Sequence, residues 1–271
     1  ITNKVQMTLK EELVSKLQII GIQPKRSLGQ NFLIGEHVVS EIFKHFDRRN
    51  PPFVVEVGPG LGALTERLIE RKTSRKLIEL DSTFANYWLS RGESVLEKDA
   101  LKVNWSELSL PAGTMLLSNL PYQIGGRLIV ELSVGPLAIT EMLIMLQKEV
   151  AVRLNAAPKT KDYSYLSVIT QTFWSVNKVV DASGADFYPQ PKVSSRVVSL
   201  SRKTIASQFN EDYLNFIKLA FQFRRKFMLK SFRDKDEVLS GALKELGYKE
   251  TVRAEEISVL DFQKLYMAVR D

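Results

Sequence analysis

Asn119-Leu120-Pro121-Tyr122 places an amide, a proline and an aromatic ring within one turn. That combination can do chemistry on an amino group attached to a flat ring. The Asn119 side-chain oxygen and a main-chain carbonyl of the same turn can accept both hydrogens of such an amine. This draws the nitrogen toward tetrahedral geometry and localises its lone pair. Pro121 stiffens the turn and brings no competing N–H, and Tyr122 offers a ring face on which an unstacked base can lie. No strong general base is needed when the electrophile is a cation. The proton can leave to water after transfer, and alignment is the main contribution. In isolation an ordinary Asn-Pro turn between strand and helix looks the same, so the neighbouring segments decide.

Upstream, Glu56-Val57-Gly58-Pro59-Gly60-Leu61-Gly62 lies between an apolar run and a helical pattern. Glycines let the backbone turn tightly and approach a ligand, while a helix N-terminus supplies free N–H donors. Read as G-x-G-x-x-A ending at Ala63, the loop fits a dinucleotide as well as S-adenosylmethionine. Glu79 ends the next apolar run, where an acid accepts both ribose hydroxyls in such folds. Asp99 follows the third run and can accept from an adenine amino group. Either acid alone reads equally as a solvated loop carboxylate; their placement after successive strands favours a nucleoside cofactor. The pattern around the Asn-Pro turn resembles the one that N6-adenine and related amino methyltransferases use.

The elements that must position these residues alternate strand and helix. Thr8-Leu9-Lys10-Glu11 fits a capping box opening a helix that ends at Gly21. Residues 23–33 read as a loop, and Glu36 to Phe46 as a helix with Val38, Val39, Ile42, Phe43 and Phe46 on one face. Strands are expected at 53–57, 76–81, 94–97, 114–118 and 139–146, with a helix from Leu61 to about Arg71 after the glycine loop. Such alternation implies right-handed crossovers and a mostly parallel sheet covered on both faces, with ligands beyond the strands' carboxyl ends. The β-rich segments 176–182 and 196–200 can pair antiparallel at the end of the sheet. From Asn210 onward the pattern is helical, which puts a domain boundary between Lys203 and Phe209: a catalytic domain over 1–205 and a small all-helical domain over 206–271.

The chain has 271 residues, no cysteine and a formal net charge of +7. The missing cysteines exclude a disulfide scaffold, a thiolate metal site and a Cys nucleophile. No signal-like or membrane-spanning apolar run is present in the sequence, so a cytoplasmic location away from membranes is expected. The basic balance favours a polyanionic partner without proving one. Lys25, Arg26, Arg153, Lys159, Lys161, Lys192, Arg224, Arg225, Lys226, Lys230 and Arg233 can line such a face. Arg224-Arg225-Lys226, flanked by aromatics, is the strongest of these clusters.

Longer motifs sharpen the reading. Lys25 to Leu33 (K-R-S-L-G-Q-N-F-L), Gln147 to Arg153 (Q-K-E-V-A-V-R), Phe187 to Val193 (F-Y-P-Q-P-K-V) and Phe221 to Lys226 (F-Q-F-R-R-K) occur in that order. With the turn at Asn119, these resemble the KsgA-type small-subunit ribosomal RNA adenine dimethyltransferase family from about Pro24 to the end. The resemblance implies a Rossmann-like α/β methyltransferase fold with a mostly parallel seven-stranded sheet and a helical C-terminal domain. It implies S-adenosylmethionine as cofactor, S-adenosylhomocysteine as product and no metal. Cofactor contacts are implied at Asn31, Leu33, Gly58, Gly60, Glu79, Asp99 and Asn119, and catalytic roles at Asn119, Leu120, Pro121, Tyr122 and Phe187, the last two holding the target adenine. RNA contacts are implied at Lys25, Arg26, Arg153, Lys192, Arg224, Arg225 and Lys226. The family places two methyl groups on each of two adjacent adenosines near the 3′ end of small-subunit rRNA and acts late in ribosome assembly. A monomer acting on a partly assembled 30S-type particle is therefore expected. The chain departs from the family's pattern at Gln123-Ile124-Gly125-Gly126, where Asn, Ile and Ser or Thr are usual, and at Ser194, where an acid is common.

Two other classes fit parts of the sequence. An RNA-binding assembly or transcription factor of the same fold without turnover would not need Asn119, Tyr122, Glu79 and Asp99 intact. An NAD-dependent oxidoreductase needs a hydride-handling acid or base, yet His37 and His45 both lie on an early helix, away from the strand ends.

Overall fold

The structure is a computed structural model and describes residues 7–24, 29–223, 226–232 and 236–270. In chain order its elements are α1 (Leu9–Ile20), β1 (Phe32–Leu33), α2 (Glu36–Arg49), β2 (Val54–Val57), α3 (Thr65–Glu70), β3 (Arg75–Glu79), α4 (Ser82–Ser90), β4 (Val95–Glu97), β5 (Thr114–Asn119), α5 (Gly125–Val134) and β6 (Ile139–Gln147). They continue as α6 (Lys148–Leu154), α7 (Tyr165–Phe173), β7 (Trp174–Ala182), β8 (Phe187–Tyr188), β9 (Ser195–Arg202), α8 (Glu211–Ala220), α9 (Asp236–Glu245) and α10 (Val259–Val269).

Seven strands form one sheet in the order β4-β3-β2-β5-β6-β9-β7. Strands β2 through β6 pair in parallel, whereas β9 runs antiparallel to β6 and β7 closes that edge. All four residues of β2 are buried, as a central strand covered on both faces requires. The apolar stripe of α2 (Val38, Val39, Ile42, Phe43, Phe46) packs against Val54, Met115, Leu117, Leu143, Met145 and Val197 of the sheet. The expected capping box at Thr8 and Glu11 is formed, and Gly21 ends α1 in the left-handed region at φ 71°.

Two elements differ from the pattern-based reading. The helix after the glycine loop begins at Thr65 rather than Leu61, because Gly60 and Gly62 hold φ values of 52° and 94° that keep the chain out of the helix for another turn. Residues 32–33 are not loop: β1 forms a separate two-stranded antiparallel ladder with β8, pairing Phe32 with Tyr188 and Leu33 with Phe187.

The chain divides into two compact units. The first comprises 1–128, 135–151 and 177–201 and holds most of the sheet; the second comprises 129–134, 152–176 and 202–271. The helical tail therefore shares its unit with α7 and its flanks. Within that unit Phe173, Phe209, Tyr213 and Tyr266 pack ring against ring, and Thr172 Oγ1 and the Tyr213 hydroxyl bond at 2.9 Å. Arg202 lies over the Trp174 ring at 4.2 Å and donates to the main-chain oxygens of Ser133 and Leu132; its burial lowers the guanidinium pKa to about 10.

Candidate active site

A cavity of about 570 Å³ opens at the carboxyl ends of β2, β3, β4 and β5, entirely within the first unit. Its floor is the glycine loop. Gly58 and Gly60 take φ values of 68° and 52°, which turn the chain sharply between β2 and α3. Trp88 Nε1 donates to the Gly60 carbonyl at 2.8 Å, and the Trp88 ring fills the space where a Gly62 Cβ would stand, 2.7 Å away. Phe32 lies over the loop, its ring 3.1 Å from the position of a Gly60 Cβ and edge-to-face with Phe84.

Glu79 ends β3 and is 7% exposed. Its two carboxylate oxygens accept the main-chain N–H of Gly60 at 3.2 Å and of Asp81 at 2.9 Å. Burial raises its pKa, and those amide donors oppose the rise. The carboxylate keeps lone-pair capacity for a further donor, such as a ribose hydroxyl. Asp99 caps the short helical turn after β4 through Oδ1 and the Leu101 N–H at 3.0 Å, and it lines the same cavity. A buried carboxylate at one strand end, a second acid at the next and a glycine floor that admits close approach form a set of acceptors that fits the ribose hydroxyls and adenine amino group of a nucleoside cofactor.

The Asn119 turn borders the other side of the cavity, with Leu120, Pro121 and Tyr122 also lining it. Asn119 Nδ2 donates to the main-chain oxygen of Asn31 at 3.0 Å, and Asn31 Nδ2 donates to Gly29 O at 3.2 Å. The Tyr122 hydroxyl bonds Ser195 Oγ at 2.9 Å, and half-burial raises the phenol pKa. Gly125 starts α5 against Leu146, whose Cδ2 occupies the space that a Gly125 Cβ would need. That close approach gives the unusual glycine after the turn a packing role.

The cavity thus brings together Asn31, Leu33, Gly58, Gly60, Glu79, Asp99, Asn119, Leu120, Pro121 and Tyr122. Phe187 is not among its lining residues. It is 3% exposed and sits in the α2-facing core, while Tyr188 beside it points to solvent, because successive residues of a strand alternate faces. Of the basic residues, Lys192 is exposed in the loop before β9, Arg153 lies on α6, and exposed Lys226 stands over the Phe223 ring at 4.9 Å. Lys25, Arg26, Arg224 and Arg225 lie outside the described residues. His45 bonds Glu141 at 2.8 Å, and neither His37 nor His45 lines the cavity.

Three contributors were not legible as site residues. Glu56 is 2% exposed, lines the cavity and accepts from Thr65 Oγ1 at 2.8 Å. Ser195 is fully buried behind Tyr122. The helix α1 supplies Leu9, Glu12, Leu13 and Lys16 to the wall, and Lys16 Nζ fastens it to Leu61 O at 3.0 Å and Glu66 at 2.7 Å. The apolar spacing of α1 was visible, but nothing in it tells what the helix covers. Among the described residues no group of His, Cys, Asp and Glu is arranged to hold a metal ion, and no helix is long and apolar enough to cross a membrane.

Sheet order and cavity define a Rossmann-like methyltransferase. The same fold occurs in a dimethyladenosine transferase from Plasmodium falciparum (TM-score 0.74, 24% identity, covering 88% of this chain and 97% of that one) and in the 23S rRNA methyltransferase ErmE (TM-score 0.64, 22% identity, covering 89% and 100%). Residues 21–270 match the model of the ribosomal RNA adenine dimethylase family, and the chain belongs to that family. It is 40% identical over 264 residues to a ribosomal RNA small subunit methyltransferase A of Bdellovibrio bacteriovorus, covering 95% of this chain and 96% of the relative. A protein of the same name from Mycoplasmoides gallisepticum is 36% identical over 250 residues, covering 90% and 92%. The helix α1 precedes the stretch matched by the family model.

Proposed function

We propose that this chain is an S-adenosylmethionine-dependent rRNA adenine N6,N6-dimethyltransferase acting on two adjacent adenosines near the 3′ end of small-subunit rRNA. The observation that carries this reading is the shared cavity, with the acids Glu79 and Asp99 on one side and Asn119, its amide nitrogen engaged by Asn31, on the other. When bound, the cofactor supplies a methyl group on a positively charged sulfur. The residues do the rest. Glu79 accepts the ribose hydroxyls, Asp99 accepts from the cofactor's adenine, and Gly58 and Gly60 let the backbone approach. Asn119 Oδ1 and a main-chain carbonyl of its turn accept the two N6 hydrogens of the target adenine, which lies against Tyr122. Phe187 acts from behind, packing the ladder partner Leu33 that lines the cavity.

In this reading 1–205 carries catalysis and 206–271 binds RNA through Arg224-Arg225-Lys226, aided by Lys25, Arg26, Arg153 and Lys192. The enzyme works as a cytoplasmic monomer on a partly assembled 30S-type particle. Basic composition and membership of a ribosomal RNA adenine dimethylase family support RNA as the partner. The test is to incubate the chain with isotopically labelled methyl donor and small subunits lacking the modification, then map the rRNA by mass spectrometry. Dimethylation of two adjacent adenosines is expected. Product on another base, or none with any RNA, overturns the reading.

A further inference from the structure

Asp181 on β7 gathers three cations. Arg196 on β9 grips it through two donors, Nε to Oδ1 at 2.6 Å and a terminal nitrogen to Oδ2 at 3.1 Å. Lys178 reaches Oδ2 at 2.9 Å, and Lys148, the first residue of α6, stands 3.4 Å from the same oxygen. The Arg196 fork holds the Asp181 carboxyl well below the usual carboxylate range, so it stays ionised. Three cations against one carboxylate leave a surplus of two positive charges.

A structural ion pair needs no such surplus. The Arg196 fork alone satisfies the carboxylate, and each lysine is about half exposed, at 48% and 54% of its side chain, where an ion pair contributes little to stability. Concentrated positive charge at a solvated surface instead attracts polyanions.

The register fixes where this charge lies. Asn119 pairs with Met145 on β6, and two residues on, Gln147 pairs with Ser195, the partner of the Tyr122 hydroxyl. Lys148 follows Gln147 directly, Arg196 follows Ser195, and the Lys148 N–H bonds the Ser194 carbonyl at 2.9 Å. The cation cluster and the Asn119–Tyr122 turn therefore share one end of the sheet and are joined through a single backbone pair.

We propose that Lys148, Lys178 and Arg196, gathered by Asp181, form a phosphate-binding platform beside the base pocket that grips the RNA backbone next to the methylated adenosine. Asp181 fixes the guanidinium fork and lets the cations approach one another without cancelling them. The two lysines supply mobile point charges, which suits a backbone contact with no sequence readout. This inference rests on the RNA reading above.

The full chain is titrated with a short RNA hairpin carrying adjacent adenosines over a range of salt, and S-adenosylhomocysteine binding is measured separately. Replacing both lysines by glutamine (K148Q with K178Q) should weaken RNA binding and lower the log–log salt slope by about 1.4 to 1.8 for two lost phosphate contacts. Cofactor affinity and Tm should stay near wild type. Asp181→Asn, which removes the carboxylate that the three cations share, should bind RNA at least as tightly, with a slope at least as steep. Weaker binding and a lower slope in the double-lysine variant, without loss in Asp181→Asn, distinguish a platform from a structural network, which would lower Tm in both variants and leave both slopes unchanged. An unchanged Kd and slope in the double-lysine variant, with wild type binding normally, overturns the platform alone. If the wild type binds neither the hairpin nor small subunits lacking the modification, the RNA reading falls with it.

Discussion

The Asn119 amide donates from Nδ2 to the main-chain oxygen of Asn31 at 3.0 Å, and that single bond decides which way the amide faces. With the nitrogen committed, the oxygen is the atom left for an incoming amine. Asn31 belongs to a segment fixed at both ends of a short run, by its own bond to Gly29 and by the pairing of Phe32 and Leu33 with β8. The orientation of the Asn119 amide therefore depends on residues 29–33 being held where they are.

Replacing Asn119 by Ala should lower kcat by about 10²- to 10³-fold, the scale of losing one preorganised hydrogen-bond partner, while RNA affinity stays within about twofold. Asn119→Asp keeps an acceptor but sets a carboxylate oxygen against the Asn31 carbonyl. It should retain more activity than the Ala variant and raise amide hydrogen exchange across residues 29–33. Single-turnover methylation and exchange mass spectrometry provide both readings. Full activity of the Ala variant would refute the mechanism.

The Tyr122–Ser195 bond invites a double-mutant cycle. Tyr122→Phe keeps the ring and loses the hydroxyl, whereas Ser195→Ala strands the hydroxyl at a half-buried site. If the bond orients the ring, each change reduces kcat/KM and the two effects overlap, with a coupling of about 1 kcal/mol. Strictly additive effects would show that Ser195 does not act through Tyr122.

Much of this site was legible because its chemistry demands particular residue types at strand ends. Gly58 and Gly60, Glu79, Asp99 and Asn119 each follow a separate apolar run, so the parallel topology alone brings them to one edge. What escaped depends on distant partners. A ladder as short as Phe32–Leu33 with Phe187–Tyr188 has no periodicity to read, and without it Phe187 resembles a pocket wall rather than the core residue it is. Ser195 looks like any loop serine until β9 is laid beside β6. Even the start of α3 was hidden, because a left-handed glycine can end a turn or extend it with the same sequence.

Gly58 and Gly62 should respond differently to alanine. At Gly58 a Cβ meets nothing within 4 Å, so the φ of 68° sets the cost, about 1–2 kcal/mol for a left-handed residue. At Gly62 the φ is 94° and the Cβ would also drive into the buried Trp88 ring 2.7 Å away. Gly62→Ala should therefore be the more damaging by about 1–3 kcal/mol, and thermal melts should show a Tm about 2–4 °C lower for each kcal/mol in a chain of this size. Equal melting temperatures would mean that Trp88 yields freely.

Glu56 gives stability a pH dependence whose sign is fixed. Burial pushes its pKa from 4.5 up to about 8, against the opposing bond from Thr65. Between those values the folded chain holds a proton that the unfolded chain has released, so its contribution is full below about pH 4.5 and is lost as pH rises through about 8. Glu56→Gln keeps an acceptor for the Thr65 hydroxyl and cannot ionise. The wild type and this variant should melt at similar temperatures near pH 5 and separate progressively toward pH 9, with the variant more stable. Calorimetric melts at constant ionic strength test this, and parallel pH profiles would show that the Glu56 carboxyl ionises in the folded chain as easily as in the unfolded one.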